Sequence, residues 1–251
     1  MKSVLNALRI VEEVAAGQPI GVGELSRRLA LPKTSVQRAL TTLRVAGWLR
    51  QEDDGTARWS LSARVLAFGR GSAHQTLRNL SQATMSQLRS ATEETILLFV
   101  REGNNVVAIE GLEGLQPVRA HTGVGTTAPL HASASGKAIL AELPDDEVEA
   151  YIGEGLPAYT EETITDPRAL RSELDRIRKR GYATHRGEWL RDVAAVGAVI
   201  RGPDGHAEGA LVIAAPAERL PRKRVNELGE RVVAAARQIS RLSEFLKRRP
   251  K

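Results

Sequence analysis

The chain has 251 residues, 42% of them apolar and 26% charged, which is enough for two compact domains with separate cores and excludes a disordered chain. Cysteine is absent, which rules out disulfides, thiolate catalysis and zinc sites built on Cys; with no run of 18 apolar residues and no charged-then-apolar leader, a cytoplasmic protein without membrane contact is expected. The net charge of +6 is uneven: Lys and Arg exceed Asp and Glu by 3 over residues 1–60 and by 8 over residues 219–251, and fall short by 5 between them, a distribution that fits a nucleic-acid-binding head.

Taken in chain order, residues 3–16 place Val4, Leu5, Leu8, Val11 and Val14 at helical spacing before Gly17-Gln18-Pro19 ends the run. Val22, Leu25 and Leu29 then share one helical face, and Val36, Ala39, Leu40 and Leu43 share another, so two short amphipathic helices are expected to bury a common core. Leu31-Pro32 separates them, because proline lacks an amide donor and disfavours a helical residue before it, and a Thr34 or Ser35 hydroxyl is the expected cap of the second helix.

Opposite the apolar stripe of that second helix lie Thr34, Arg38 and Thr41, with Ser35 and Gln37 on the flanks and Lys33 at its start. Such a face is either an ordinary solvated surface or a recognition surface, since Arg and Gln can read purine edges and hydroxyls can bond bases or phosphates. The following residues decide in favour of recognition. Residues 47–51 and 57–61 are strand-like and flank Asp53-Asp54-Gly55-Thr56, a turn sequence, so a wing follows the helix pair. Arg50 and Arg58 could reach phosphates from it, while Glu52, Asp53 and Asp54 argue against deep insertion into a groove.

At this point the chain resembles the IclR family of transcriptional regulators, through Ala30-Leu31-Pro32-Lys33-Thr34-Ser35-Val36-Gln37-Arg38, and the resemblance extends over essentially its whole length. It departs at Ala30, where the family has Gly; a left-handed backbone there would cost Ala roughly 1–2 kcal/mol. The resemblance implies an α+β protein: a winged helix-turn-helix over residues 1–61, a linker helix over 62–75, and a GAF-like effector-binding domain on an antiparallel sheet over 76–251.

Beyond the wing, residues 62–74 are helix-like but weakened by Gly69 and Gly71, which puts the boundary between residues 70 and 76. Helical periodicity resumes over 76–92. Residues 95–101 and 106–112 are expected to form a hairpin about Gly103-Asn104-Asn105, with residues 116–121 as a third strand. Helices are expected over 133–143, 145–152 and 166–179, the last with Pro167 early in its first turn. Strands over 182–188, 193–201 and 207–214 precede a long helix over 221–246, and this order of elements describes an α+β domain.

Two further stretches carry the resemblance. Residues 129–141 contain Leu130-His131 and Gly136-Lys137-Ala138 at the family's spacing, and a helix opening on Ala, Ser and Gly either packs closely or presents free amides to an anionic ligand group. A phosphate-binding loop is excluded there, because His131 and Ala138 stand where that motif needs Gly and Ser or Thr. The stretch from Gly181 to Pro216 matches the family's later blocks, with Asp192 and Val199 in place of Gly and Pro, and Val212 and Ala214 where some members offer hydroxyls.

The resemblance therefore implies an effector site at Ala134, Ser135, Gly136, His185, Ala195, Val212 and Ala214. With hydroxyls lost, the effector is expected to be a small, largely apolar or aromatic organic acid. His185 or Arg186 could meet its carboxylate, or both could point outward from an edge strand. A homodimer or dimer of dimers on double-stranded DNA is implied as well, acting as a repressor in the leading reading. An architectural DNA-binding protein without effector is the alternative. An enzyme is disfavoured, since the five His lack metal-ligand spacing and no nucleophile elbow occurs; no metal or cofactor is expected. The basic end, Lys247-Arg248-Arg249, reads as a solvated tail.

Overall fold

The computed structural model describes residues 2–53, 55–65, 67, 74–120 and 123–247. The chain divides into two compact units, residues 1–75 and 76–251. Half of the expected linker helix, residues 66 and 68–73, lies outside those described, as do Asp54 at the wing tip, His121 at the end of the expected third strand, and Arg248 and Arg249 of the tail.

In the first unit, helices α1 (Lys2–Gly17), α2 (Val22–Leu29) and α3 (Lys33–Val45) precede the strands β1 (Leu49–Gln51) and β2 (Trp59–Leu61). The apolar stripes close one core around Ile10, Val14, Ile20, Leu25, Leu29, Val36, Leu40, Leu49 and Trp59. Each fully buried Leu or Ile in it stabilises the unit by about 1.5–3 kcal/mol. The wing is shorter than expected, and it is tied to the segment after α1 by reciprocal backbone bonds between Ile20 and Trp59, 3.0 and 2.9 Å long. Two left-handed residues, Gly47 (φ 79°) and Ala57 (φ 50°), turn the chain outside the strands and set those shorter limits.

Ala30 occupies the left-handed region at the C-cap of α2 (φ 53°, ψ 40°), the conformation that favours glycine. The hydroxyl cap expected for α3 is not formed. Pro32 stands at the N-cap with no side-chain bond, its carbonyl accepts the amides of Ser35 and Val36 at 3.0 and 3.1 Å, and Thr34 and Ser35 already lie inside the first turn.

The second unit is an antiparallel six-stranded sheet in the order β5-β4-β3-β8-β7-β6, formed by β3 (Thr95–Glu102), β4 (Asn105–Leu112), β5 (Thr127–Pro129), β6 (Ala183–Arg186), β7 (Val193–Arg201) and β8 (Ala207–Pro216). Helices cover both faces, so β3 is buried along nearly its whole length and its side chains alternate between two cores. Ile96, Leu98 and Val100 pack with α4 (Gln75–Thr92) and α8 (Arg222–Lys247). Leu97 and Phe99 face α5 (Ala134–Leu140), α6 (Asp145–Gly153) and α7 (Pro167–Arg180).

Residues 116–120 are not a strand; β5 takes the outer place beside β4 instead. The reason is where that segment's carbonyls go: Ala120 O accepts the Thr95 hydroxyl at 3.1 Å and Val118 O accepts the Arg219 guanidinium, so side chains rather than a neighbouring strand satisfy them. Helix α7 starts one residue later than expected because Asp166 is its N-cap, accepting the Ala169 amide at 2.8 Å, with Pro167 following. Likewise Ser133 caps α5 from outside by accepting the Gly136 amide at 3.1 Å. Among the described residues no helix is long and apolar enough to cross a membrane.

Candidate functional site

In the first unit, burying Val36 and Leu40 turns the opposite side of α3 outward. Lys33, Thr34, Ser35, Gln37, Arg38 and Thr41 are all exposed on it. Thr41 Oγ1 donates to Gln37 O at 2.9 Å, leaving its lone pairs free to accept. On the wing both Arg50 and Arg58 are exposed, but Arg50 already pairs with Glu52 at 2.9 Å, and Glu52 also accepts the Ser60 hydroxyl at 2.5 Å. A phosphate contact by Arg50 must therefore compete with an internal carboxylate.

In the second unit, the sheet face toward α5 carries a small cavity, about 40 Å³ in volume. Six of the seven residues implied by the family resemblance meet on its wall: Ala134, Ser135, His185, Ala195, Val212 and Ala214. Gly136 does not. Its Cα is pressed against the Leu130 backbone, which an added Cβ would overlap, and its amide is taken by Ser133. It serves close packing, and the expected anion-binding amide at this position is withdrawn. Gly197 of β7 has the same use, since a Cβ there would come within 3.1 Å of the Ala134 backbone. Between them the two glycines let α5 settle on the sheet and bring Ala134 and Ser135 to the cavity.

His185 is 4% exposed and points inward; Arg186, next along β6, points away and donates to Ala217 O and Leu220 O at 3.1 and 2.8 Å. Alternation along the strand separates the two, so Arg186 is not a cavity group. The Trp189 amide donates to His185 Nε2 at 2.9 Å, which fixes the tautomer with the proton on Nδ1. Nδ1 is buried without a hydrogen-bond partner. Burial, with the Lys137 ammonium adding to it, pushes this imidazole down to about 3, so His185 stands at the cavity as a neutral group.

Several cavity residues lay outside the expected set. Leu97 and Phe99 of β3, Ala128, Ser133 and Val193 also line it, and Trp189 and Leu190 of the loop after β6 form a wall. An aromatic residue inside a polar loop was the available signal for Trp189. The chemistry behind that wall had no local signal. Lys137 on α5 is 1% exposed and its Nζ meets both carboxylate oxygens of Glu188 at 2.7 and 2.5 Å, across 51 residues of chain. Burial pulls the Lys137 ammonium down and pushes the Glu188 carboxyl up, each opposed by its partner. The same loop is held by Thr160 and Thr163, whose hydroxyls donate to Gly187 O and Glu188 O at 2.6 and 2.5 Å.

His131, within the second stretch of family resemblance, is structural. Tyr151 Oη donates to its Nδ1 at 2.6 Å while accepting its backbone amide at 3.1 Å, and Nε2 donates to Pro157 O at 3.0 Å. Burial lowers the imidazole and raises the Tyr151 phenol to about 12, so both remain neutral at ordinary pH. Among the described residues no group of three or more His, Asp or Glu is placed to hold a metal ion.

The model for the IclR helix-turn-helix domain matches residues 3–53, and that for the C-terminal domain of bacterial IclR transcriptional regulators matches residues 72–241. The chain is 33% identical over 242 residues to the HTH-type transcriptional regulator KipR of Bacillus subtilis, covering 96% of each protein. It is 30% identical to the acetate operon repressor of Salmonella typhimurium, over 96% of this chain and 89% of that protein. Its structure is similar to that of the Thermotoga maritima IclR, with a TM-score of 0.78, 25% identity, and coverage of 97% and 99%. An IclR homologue from Microbacterium hydrocarbonoxydans, solved in complex with 4-hydroxybenzoate, superposes with a TM-score of 0.76 at 25% identity over 96% of this chain and all of that one.

Proposed function

The chain belongs to the IclR family of bacterial transcriptional regulators, and from that premise we propose which residues divide its work as a DNA-binding protein under the control of a small molecule. It is a regulator, not an enzyme. The observation that carries the proposal is the exposed polar face of α3, unencumbered by the core beneath it. Ser35, Gln37 and Arg38 read bases in the major groove, with Thr41 able to accept from a base amino group, while Lys33, Thr34 and Arg58 hold phosphates; Arg50 contributes less, being paired with Glu52.

The cavity under α5 receives the effector. Its lining supports a small, largely apolar body, in keeping with the aromatic ligand of the Microbacterium relative; Arg186 turns away from it, and Ser135 and a neutral His185 are the polar side chains at hand for the acid group expected from the sequence. The protein acts in the cytoplasm as a homodimer or dimer of dimers, and as a repressor, the mode in the name of the Salmonella relative. One winged helix spans too few base pairs for useful specificity, so two must act on a near-palindromic site.

Replacing Arg38 by Ala tests the assignment. Titration of the operator at fixed salt should show a loss of about 1–3 kcal/mol, with much less change on unrelated duplex. Unchanged operator affinity would remove Arg38, and the face it anchors, from the interface.

A further inference from the structure

The second unit has another cavity, of about 170 Å³, bounded by α5, the end of α7, β7 and α8 and sharing no lining residue with the effector cavity. We infer that it is a binding site for a phosphate dianion, free or carried as a monoester by a small molecule. Its wall holds five cations, Arg178, Lys179, Arg180, Arg201 and Arg237, against the single carboxylate of Glu142. A concave surface lined by one sign of charge focuses its field and gathers ions of the other sign. Arg178, Lys179 and Arg180 also complement the dipole of α7 in its last turn, a role that needs no ligand, but Arg201 and Arg237 come from β7 and α8 and have no such use there.

The cations differ in what they have left to give. Arg178 is spent, with Nε on Ala141 O at 2.8 Å and Nη1 on Asp175 at 3.0 Å. Two others are held in place without being used up. Glu142 takes Nε and Nη2 of Arg201 at 2.9 and 2.8 Å, while Tyr182 O and Glu173 take Nε and Nη2 of Arg180 at 2.6 and 2.7 Å, so Nη1 of each is without a partner among the described residues. A guanidinium fixed in this way loses little freedom on meeting an anion. Lys179 and Arg237 have no partner of any kind among the described residues, and their charge is wholly available.

The backbone adds a donor. Gly187 donates to Val193 O at 2.9 Å, and His185 and Ala183 of β6 stand opposite Ala195 and Gly197, so every second residue of β7 turns its amide toward β6. The next in that series is Val199, but the chain opposite it has already left the sheet. Gly181 is the left-handed cap of α7 (φ 84°), and its amide returns to Ile177 O at 2.8 Å. The Val199 N–H therefore lies on an open strand edge in the wall of this cavity with no partner among the described residues. A tetrahedral dianion has oxygens enough to meet an amide from β7, an ammonium from α7 and a guanidinium from α8 at once, whereas a carboxylate brings two oxygens in one plane and half the charge.

Three probes, inorganic phosphate, methyl phosphate and dimethyl phosphate, titrated calorimetrically into the full chain at pH 7.5 and constant ionic strength, test the site. Phosphate and methyl phosphate should saturate one site per chain, and the tighter of the two tells whether the dianion is taken free or as a monoester. Dimethyl phosphate, a monoanion, should bind at least tenfold more weakly. Joint replacement of Lys179 and Arg237 by Ala, at two exposed positions, should weaken the dianions at least tenfold. Val199→Pro removes only the N–H, at an edge where proline is tolerated, and should weaken them about tenfold with an unchanged urea midpoint. No saturable uptake of either dianion, or undiminished uptake by the double variant, would overturn the site. Undiminished uptake by Val199→Pro would overturn the part given to the backbone. Dimethyl phosphate binding as tightly as methyl phosphate would overturn the dianion and make this wall a surface for a nucleic-acid backbone.

Discussion

Ala30 is held at φ 53°, a backbone region in which an L side chain crowds its own carbonyl. The turn between α2 and α3 keeps that geometry because Ser26 Oγ and the Leu31 amide close it from both sides, donating to Leu31 O at 2.6 Å and to Ser26 O at 3.1 Å. Ala30→Gly should therefore stabilise the first unit by about 0.5–1 kcal/mol, the strain relieved less the entropy that glycine adds to the unfolded chain, read as a higher urea midpoint at constant slope. A lower midpoint would mean that the turn is not strained. At His185 the sign of the pH dependence follows from its folded value of about 3, below the ordinary 6.5. A group depressed in this way contributes its full stability above pH 6.5 and loses it as the pH falls toward 3. His185→Gln should accordingly flatten the acid limb of a stability profile between those values, and the wild-type imidazole should show no NMR titration from pH 8 to 5. An imidazole midpoint near 6.5 would refute its burial as a neutral group.

At the scale of elements, the helices and long strands were legible because their apolar residues repeat at 3.6 or 2 residues and their ends carry Pro, Gly or Asp. The segment 116–120 was misread because nothing local announces that Thr95 and Arg219 take its carbonyls. The loop from Gly187 to Asp192 was missed for the same reason, as its anchors come from α5 and from Thr160 and Thr163, far away in sequence. Gly136 and His131 sat inside stretches of family resemblance, yet only packing geometry reveals that one is a close-approach glycine and the other the partner of Tyr151. The Lys137–Glu188 pair makes the dependence of loop on helix measurable. Removing only the ammonium, in Lys137→Met, strands a carboxylate that is itself mostly buried, at a cost of about 3–5 kcal/mol. Adding Glu188→Leu should restore most of that loss. A double variant no more stable than the single would show that the pair does not act as a unit, and unimpaired stability in Lys137→Met would show that Glu188 finds water.

For the whole molecule, α1 poses the question of what covers it. Only Ile10 and Val14 of this helix are buried, whereas Val4, Leu5 and Leu8 are 65, 59 and 56% exposed, on the side of the helix turned away from that core. Exposed apolar residues scattered singly need no explanation, whereas three within two turns on one element make a candidate face for a partner. A second copy is the occupant that the proposed homodimer would place there, because doubling the winged helix doubles both the bases read and the phosphates neutralised, so affinity on two half-sites far exceeds that on one. Leu5→Glu with Leu8→Glu touches no buried position and should leave each unit folded, while setting like charges opposite one another across a two-fold axis. Sedimentation at micromolar concentration should then show a smaller species than wild type, and affinity for the two-half-site operator should fall at least tenfold more than affinity for a single half-site, which the new charge at Leu8, beside Ser35 and Arg38, also lowers. If the variant keeps the wild-type mass, α1 is not where the copies meet; if the wild type is itself monomeric at that concentration and still binds the full operator one to one, the homodimer is wrong.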